Sequence, residues 1–123
     1  MSKGNEATQA KYAKPMPFAG FIGRFPRAIL VVADVSHEGC KKHGVPDGDT
    51  TFTEIDDAAN VLREAQARHM LKEVIEGEYD PEWDFLHAAH AAWNAMARLE
   101  TILIEKEKEA NLRELVSDLE QPF

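Results

Sequence analysis

Asp34 and Glu38 stand four residues apart in the stretch VVADVSHEGCKKHG, with Lys41 three residues further on. On an α-helix that spacing puts two carboxylates and an ammonium on one face, a turn apart. Such a face can hold a divalent cation and a polyphosphate together, the carboxylates as hard oxygen ligands and the amine as countercharge. The preceding segment AILVVA, residues 28–33, is almost wholly apolar and is expected to be buried, which places the acids at the edge of a core. A solvated face is the competing reading.

A second polar row runs through Asp84, His87, His90 and Asn94 at intervals of three, three and four, with Trp83 and Trp93 flanking it. Two imidazoles and an amide in line can hydrogen-bond the edge of a sugar or a base. As a zinc motif the pair is weak, because HxxH lacks the HExxH spacing and the further Cys or His that completes a site. A third group, Glu64, Arg68 and His69, fits either an ordinary i,i+4 ion pair or a metal ligand beside a phosphate clamp. Glu54/Asp57 and Glu73/Glu76 read more simply as helix-start acids and a solvated turn.

The elements that must position these groups are helices. Pro26 suits a first helical turn and Gly44 a helix end, so one helix is expected over Pro26 to His43. Thr53 with Asp56 resembles a capping box, and a second helix is expected from about Glu54 to Glu76, stopping at Gly77; its stripe is Ile55, Ala58, Ala59, Leu62, Ala65 and His69. Asp80 before Pro81 repeats a cap-then-proline start, giving a third helix from about Pro81 to Ile104. The charged run 105–123 continues as helix, with Leu112, Leu115, Val116 and Leu119 as an apolar edge. Residues 1–10 read as a flexible tail. Residues 11–25, with Pro15, Pro17, Gly20 and Gly23 among Tyr12, Phe18, Phe21 and Ile22, read as an apolar loop that packs on the bundle or covers a planar ligand. No strand pattern occurs, so the class is all-α, a single domain over 1–123.

A net charge of -8 with no basic patch argues against a nucleic-acid polymer or an anionic membrane as partner, and a phosphorylated ligand would need a metal ion. The single cysteine, Cys40, excludes an internal disulfide, and no apolar run reaches membrane-spanning length. A cytoplasmic protein is expected, with its core completed by oligomerisation.

The text GCKKHG, ARHMLKEVIEGEYDPE and LHAAHAAWNAMARLE resembles the phage and bacterial dATP/dGTP diphosphohydrolases of the MazZ type, within the MazG-like all-α nucleoside triphosphate pyrophosphohydrolases. The matching positions are Gly39, Lys41, Lys42, His43 and Gly44; Glu64, Arg68 and His69; Gly77, Glu78, Asp80, Pro81 and Glu82; and His87, His90, Ala91 and Asn94. The broader group holds its ions with E-E-x-x-E and E-x-x-D. Here the first is reduced to Asp34 and Glu38, and Ala67 stands where the second has Asp.

The resemblance implies a helical bundle of MazG-like type and hydrolysis of dGTP and/or dATP to the monophosphate and pyrophosphate, with two or more Mg²⁺ or Mn²⁺ ions and a homo-oligomer, dimer or tetramer. It implies Asp34 and Glu38 as catalytic residues, and Asp34, Glu38, Glu64 and Asp80 as metal ligands. Lys41, Lys42, Arg68 and His69 would bind phosphate, and His87, His90, Asn94, Phe21 and Ile22 would bind sugar or base. The competing function is a non-catalytic helical interaction module or phage regulator that binds a partner through the leucine edge.

Overall fold

The computed structural model describes residues 13–120. Three α-helices carry the fold: α1 (Pro26–His43), α2 (Ala58–Glu76) and α3 (His87–Glu120). Among the described residues there is no strand, only an isolated antiparallel bridge between Tyr79 and Leu86. The chain is therefore all-α, as expected. No helix among the described residues is long and apolar enough to cross a membrane.

Helix α1 has the expected bounds for the expected reasons. Pro26 occupies its first turn, where no amide donor is required, and Gly44 closes it in the left-handed conformation at φ 69. The Gly44 and Val45 amides donate to the carbonyls of Lys41 and Cys40. This close leaves Lys41, Lys42 and His43 in the last turn, where cations complement the helix dipole.

Helices α2 and α3 start later than the cap signatures predict. Thr53 donates its hydroxyl to the Thr50 carbonyl at 2.9 Å instead of capping a helix, residues Thr51–Glu54 form a 3₁₀ turn, and Ile55 is extended. Asp57, at φ 55, then turns the chain into α2. Asp80 likewise caps no helix; it anchors a compact loop, and a second left-handed residue, Asp84 at φ 57, delays α3 to His87. Short acidic side chains tolerate this conformation, and a side chain that bonds a local amide no longer serves as a helix cap. Once begun, α3 runs unbroken through the charged segment to Glu120.

The main contact joins α2 to α3, and α1 packs on α3. Val35, Ala58, Leu62, Ala89 and Ala97 form a small apolar core. The inward seam of α3 is His87, His90, Asn94, Ala97 and Thr101, at alternating spacings of three and four. It is polar for its first two turns, so the end of the α2–α3 pair nearest their connecting loop is built around imidazoles. The burial expected for residues 28–33 does not occur within one chain: Leu30 is 65% exposed, and from α1 only Val35 is fully buried. One packed neighbour covers one face of α1 and leaves the rest open. Residues 11–25 contain a π-helical turn, Phe18–Ile22, where a loop was expected, and the tail expected over 1–10 lies outside the described residues.

Candidate functional site

The loop between α2 and α3 sets the site. Gly77, at φ 100, ends α2 in a conformation that a side chain would strain. The chain then folds back on itself: the Asp80 amide donates to the Phe85 carbonyl at 2.7 Å, and the His87 amide donates to the Glu78 carbonyl at 2.8 Å. Asp80 Oδ1 accepts the Glu82 amide at 2.9 Å, which leaves Oδ2 directed at His90 Nε2, 3.6 Å away. Asp80 and His90 are both 7% exposed.

His69, two turns before the end of α2, completes the group. Its ring lies nearly parallel to that of His90, with centroids 4.3 Å apart, and one ligand atom each from His69, Asp80 and His90 lie within 4.8 Å of one another. Behind them sits His87, fully buried. His87 Nε2 is 3.0 Å from Glu76 Oε2, and His87 Nδ1 is 3.1 Å from His69 Nδ1. A carboxylate can only accept, so His87 Nε2 carries the proton given to Glu76. A single proton lies between His87 Nδ1 and His69 Nδ1 and joins the two rings. Burial, then the neighbouring His90 and His87, pushes His69 down to about 4, with Asp80 opposing. His90 is pushed down as well, chiefly by burial. Both rings are neutral at pH 7 and able to donate electron pairs.

The cluster adjoins a cleft of about 870 Å³, large enough for a nucleotide. Trp83 lines the cleft and also meets His90 edge-on at 5.7 Å. Phe52 and Trp93, packed edge to face at 5.4 Å, line it as well, together with Asp47, Asp49 and Glu100. His37 donates to Asp47 at 2.9 Å, tying the loop after α1 back to that helix. The Thr51 hydroxyl and then its amide hold the Asp49 carboxyl below its usual range. Lys42 Nζ lies 5.1 Å from the Trp83 ring centre, a cation–π distance that brings the end of α1 to the cleft.

The predicted site residues separate into two groups. His69, Asp80, His87 and His90 come together, whereas Asn94, buried one turn further along α3, spends its side-chain amide on the His90 carbonyl at 2.9 Å. Asp34, Glu64 and Arg68 are exposed, and the ion pair that the spacing of the last two allows does not form. Glu38 faces solvent in part and pairs with Lys41 at 3.5 Å. None of Asp34, Glu38 and Glu64 belongs to the converging group. Phe21 lines a second, apolar cleft of about 550 Å³ between α1 and α3, which Ile22 does not line. Glu76, Glu100, Phe52 and the acids of the 47–49 loop were missed. Glu76 follows His69 by seven residues, two helical turns on one face, and Trp93, Met96, Ala97 and Glu100 keep the helical period; both patterns are visible in the sequence.

A helical bundle that brings imidazoles and a carboxylate together beside an aromatic cleft is an all-α protein with a candidate ligand site. The family model described as dATP/dGTP diphosphohydrolase, N-terminal, matches residues 5–111, and the chain belongs to that family. No curated protein and no solved structure matches the chain.

Proposed function

We propose that this protein is a metal-dependent diphosphohydrolase that converts dGTP and/or dATP to the monophosphate and pyrophosphate. The observation that carries the reading is the sharing of Trp83, in a member of this family, between the His69–Asp80–His90 cluster and the nucleotide-sized cleft. A divalent ion supplies neutralisation of the triphosphate and an acidified water. The chain's own groups do the rest. Trp83, Trp93 and Phe52 offer ring faces to a purine, and Lys41, Lys42 and Arg68 offer cations to the phosphates. His87, with no exposed surface and both nitrogens engaged, positions His69 instead of touching a base.

The donor set decides which ion the converging group suits. Mg²⁺ takes six oxygen ligands, whereas the His90 imidazole beside the Asp80 carboxylate would suit Mn²⁺ and its transition-metal neighbours. Asp34, Glu38 and Glu64 would hold an ion, and Glu38 or Asp34 would orient the attacking water, where a second copy closes over their exposed faces. Val74 and Ile75 on α2, 83% and 72% exposed, are apolar surface for that contact.

Incubation with each dNTP and Mg²⁺ or Mn²⁺ tests the reading: dGMP or dAMP plus pyrophosphate is the expected product pair. Orthophosphate without pyrophosphate, or no turnover, contradicts it. The second reading, a non-catalytic interaction module, is favoured by the exposed edge of Leu112, Leu115, Val116 and Leu119, and would give a stable complex without turnover.

A further inference from the structure

We infer that the outward face of α3, formed by Ala92, Met96, Leu99 and Leu103, is where a second copy of this chain packs antiparallel on the first and fills the apolar groove beside α1. The inference rests on the proposed function only for what the neighbouring cleft holds; the contact itself is independent of turnover.

Helix α3 is apolar on two opposite sides. At about 100° per residue, the outward stripe lies roughly 160° around the helix from the inward seam of His90, Asn94, Ala97 and Thr101. The seam is buried, whereas Ala92 is exposed and Met96, Leu99 and Leu103 are each about half exposed. A helix with apolar residues on both sides has to bury both. Here α2 covers the seam, and α1 borders only one flank of the outward stripe.

The stripe is also self-complementary. Its intervals are four, three and four. In an antiparallel pair with a twofold axis midway between Met96 and Leu99, Met96 therefore meets the partner's Leu99, and the small Ala92 meets the partner's Leu103. No residue of the stripe is charged, so no like charges face each other at its centre. An isologous contact demands this symmetry of spacing; a contact with an unrelated protein does not.

The area suits a stable dimer. The stripe runs into the 550 Å³ cleft, where Phe21 and Phe25, also about half exposed, stand with Ile29 and Val32 across from Ala92 and Met96. Five large side chains at roughly 100 Å² each give about 500 Å² of apolar surface per copy. An ordinary interface buries about 800 Å² per partner, of which roughly 57% is apolar. Trp93 and Met96 line both this groove and the nucleotide-sized cleft, so the partner's Leu99 and Leu103 back one wall of that cleft.

Light scattering on the full chain tests the contact. The double variant Leu99→Glu with Leu103→Glu, neither of which lines the nucleotide-sized cleft, is expected to halve the parent mass with circular dichroism unchanged. Met96→Lys and Leu99→Glu, made in separate chains, should each weaken association at least tenfold. Mixed in equal amounts they should recover it, since the mixed dimer has one Lys–Glu pair and one Met–Leu pair; misfolded chains would not do so. A monomeric parent, a double variant of parent mass, or mixing without recovery would overturn the contact. Hydrolysis undiminished in the dissociated double variant would refute the partner's role in the cleft wall and leave the proposed function standing. A dimer through this face without hydrolysis would do the reverse.

Discussion

Replacing Glu76 by Ala tests the buried relay that orients the site. Glu76 Oε2 lies 3.0 Å from Nε2 of a histidine with no exposed surface, so its removal strands a donor that water reaches only through the gap left by the lost side chain. Leaving such a group unsatisfied costs about 1–3 kcal/mol. Glu76 is itself 35% exposed, which admits some water and favours the middle of that range, about 2 kcal/mol. For 123 residues the unfolding entropy near 60 °C is about 0.26 kcal/mol/K, so the loss corresponds to a fall in Tm of about 8 °C. Glu76→Gln keeps an acceptor oxygen and should lose less than half as much. Thermal unfolding followed at 222 nm in excess chelator reads both. A Glu76→Ala variant within about 2 °C of the parent, or a Gln variant as destabilised as the Ala one, would refute the hydrogen-bond argument.

Other expectations follow from the same geometry. Because His69 is held neutral down to about 4 against an ordinary 6.5, the unfolded chain binds more protons between those values. Metal-free protein should therefore lose stability as pH falls from 6.5 toward 4; the groups around His69 are His87, His90, Asp80 and Lys72, and His69→Gln should flatten the slope measured by urea titration. Leu62→Ala opens a cavity in a small core and should cost about 2–4 kcal/mol by denaturant unfolding; a cost under 1 kcal/mol would mean that α2 and α3 do not pack as described. Light scattering should give a mass at least twice 13.8 kDa, and Val74→Glu with Ile75→Glu should reduce it; a monomeric parent would end the assembly argument.

Much of the fold was legible because it rests on local signals. Pro26 and Gly44 bound α1 through backbone geometry that depends on no distant residue. The starts of α2 and α3 were misread for an equally local reason with two solutions: Thr53, Asp57, Asp80 and Asp84 can cap a helix or make a turn, and the choice depends on what the loop packs against. His90 and Asp80 were singled out from the sequence, but their partnership with each other and with His69 depends on how the 77–86 loop folds back, which no helical period encodes. The emphasis on Asp34 and Glu38 came from the apolar run before them. In the chain that run has few packing partners, so its expected burial, from which the acids are placed at the edge of a core, does not occur within one chain. Glu76 was passed over as a solvated acid because only the folded loop brings His87 beneath it.

The most direct test of the central claim is phosphorus NMR of dGTP and dATP incubated with Mn²⁺ and either the parent chain or Asp80→Asn. The expected result is pyrophosphate and monophosphate in equal amounts from the parent and a loss of at least a hundredfold in rate for the variant. Inorganic triphosphate, orthophosphate with the diphosphate, or equal rates for the two proteins would contradict it.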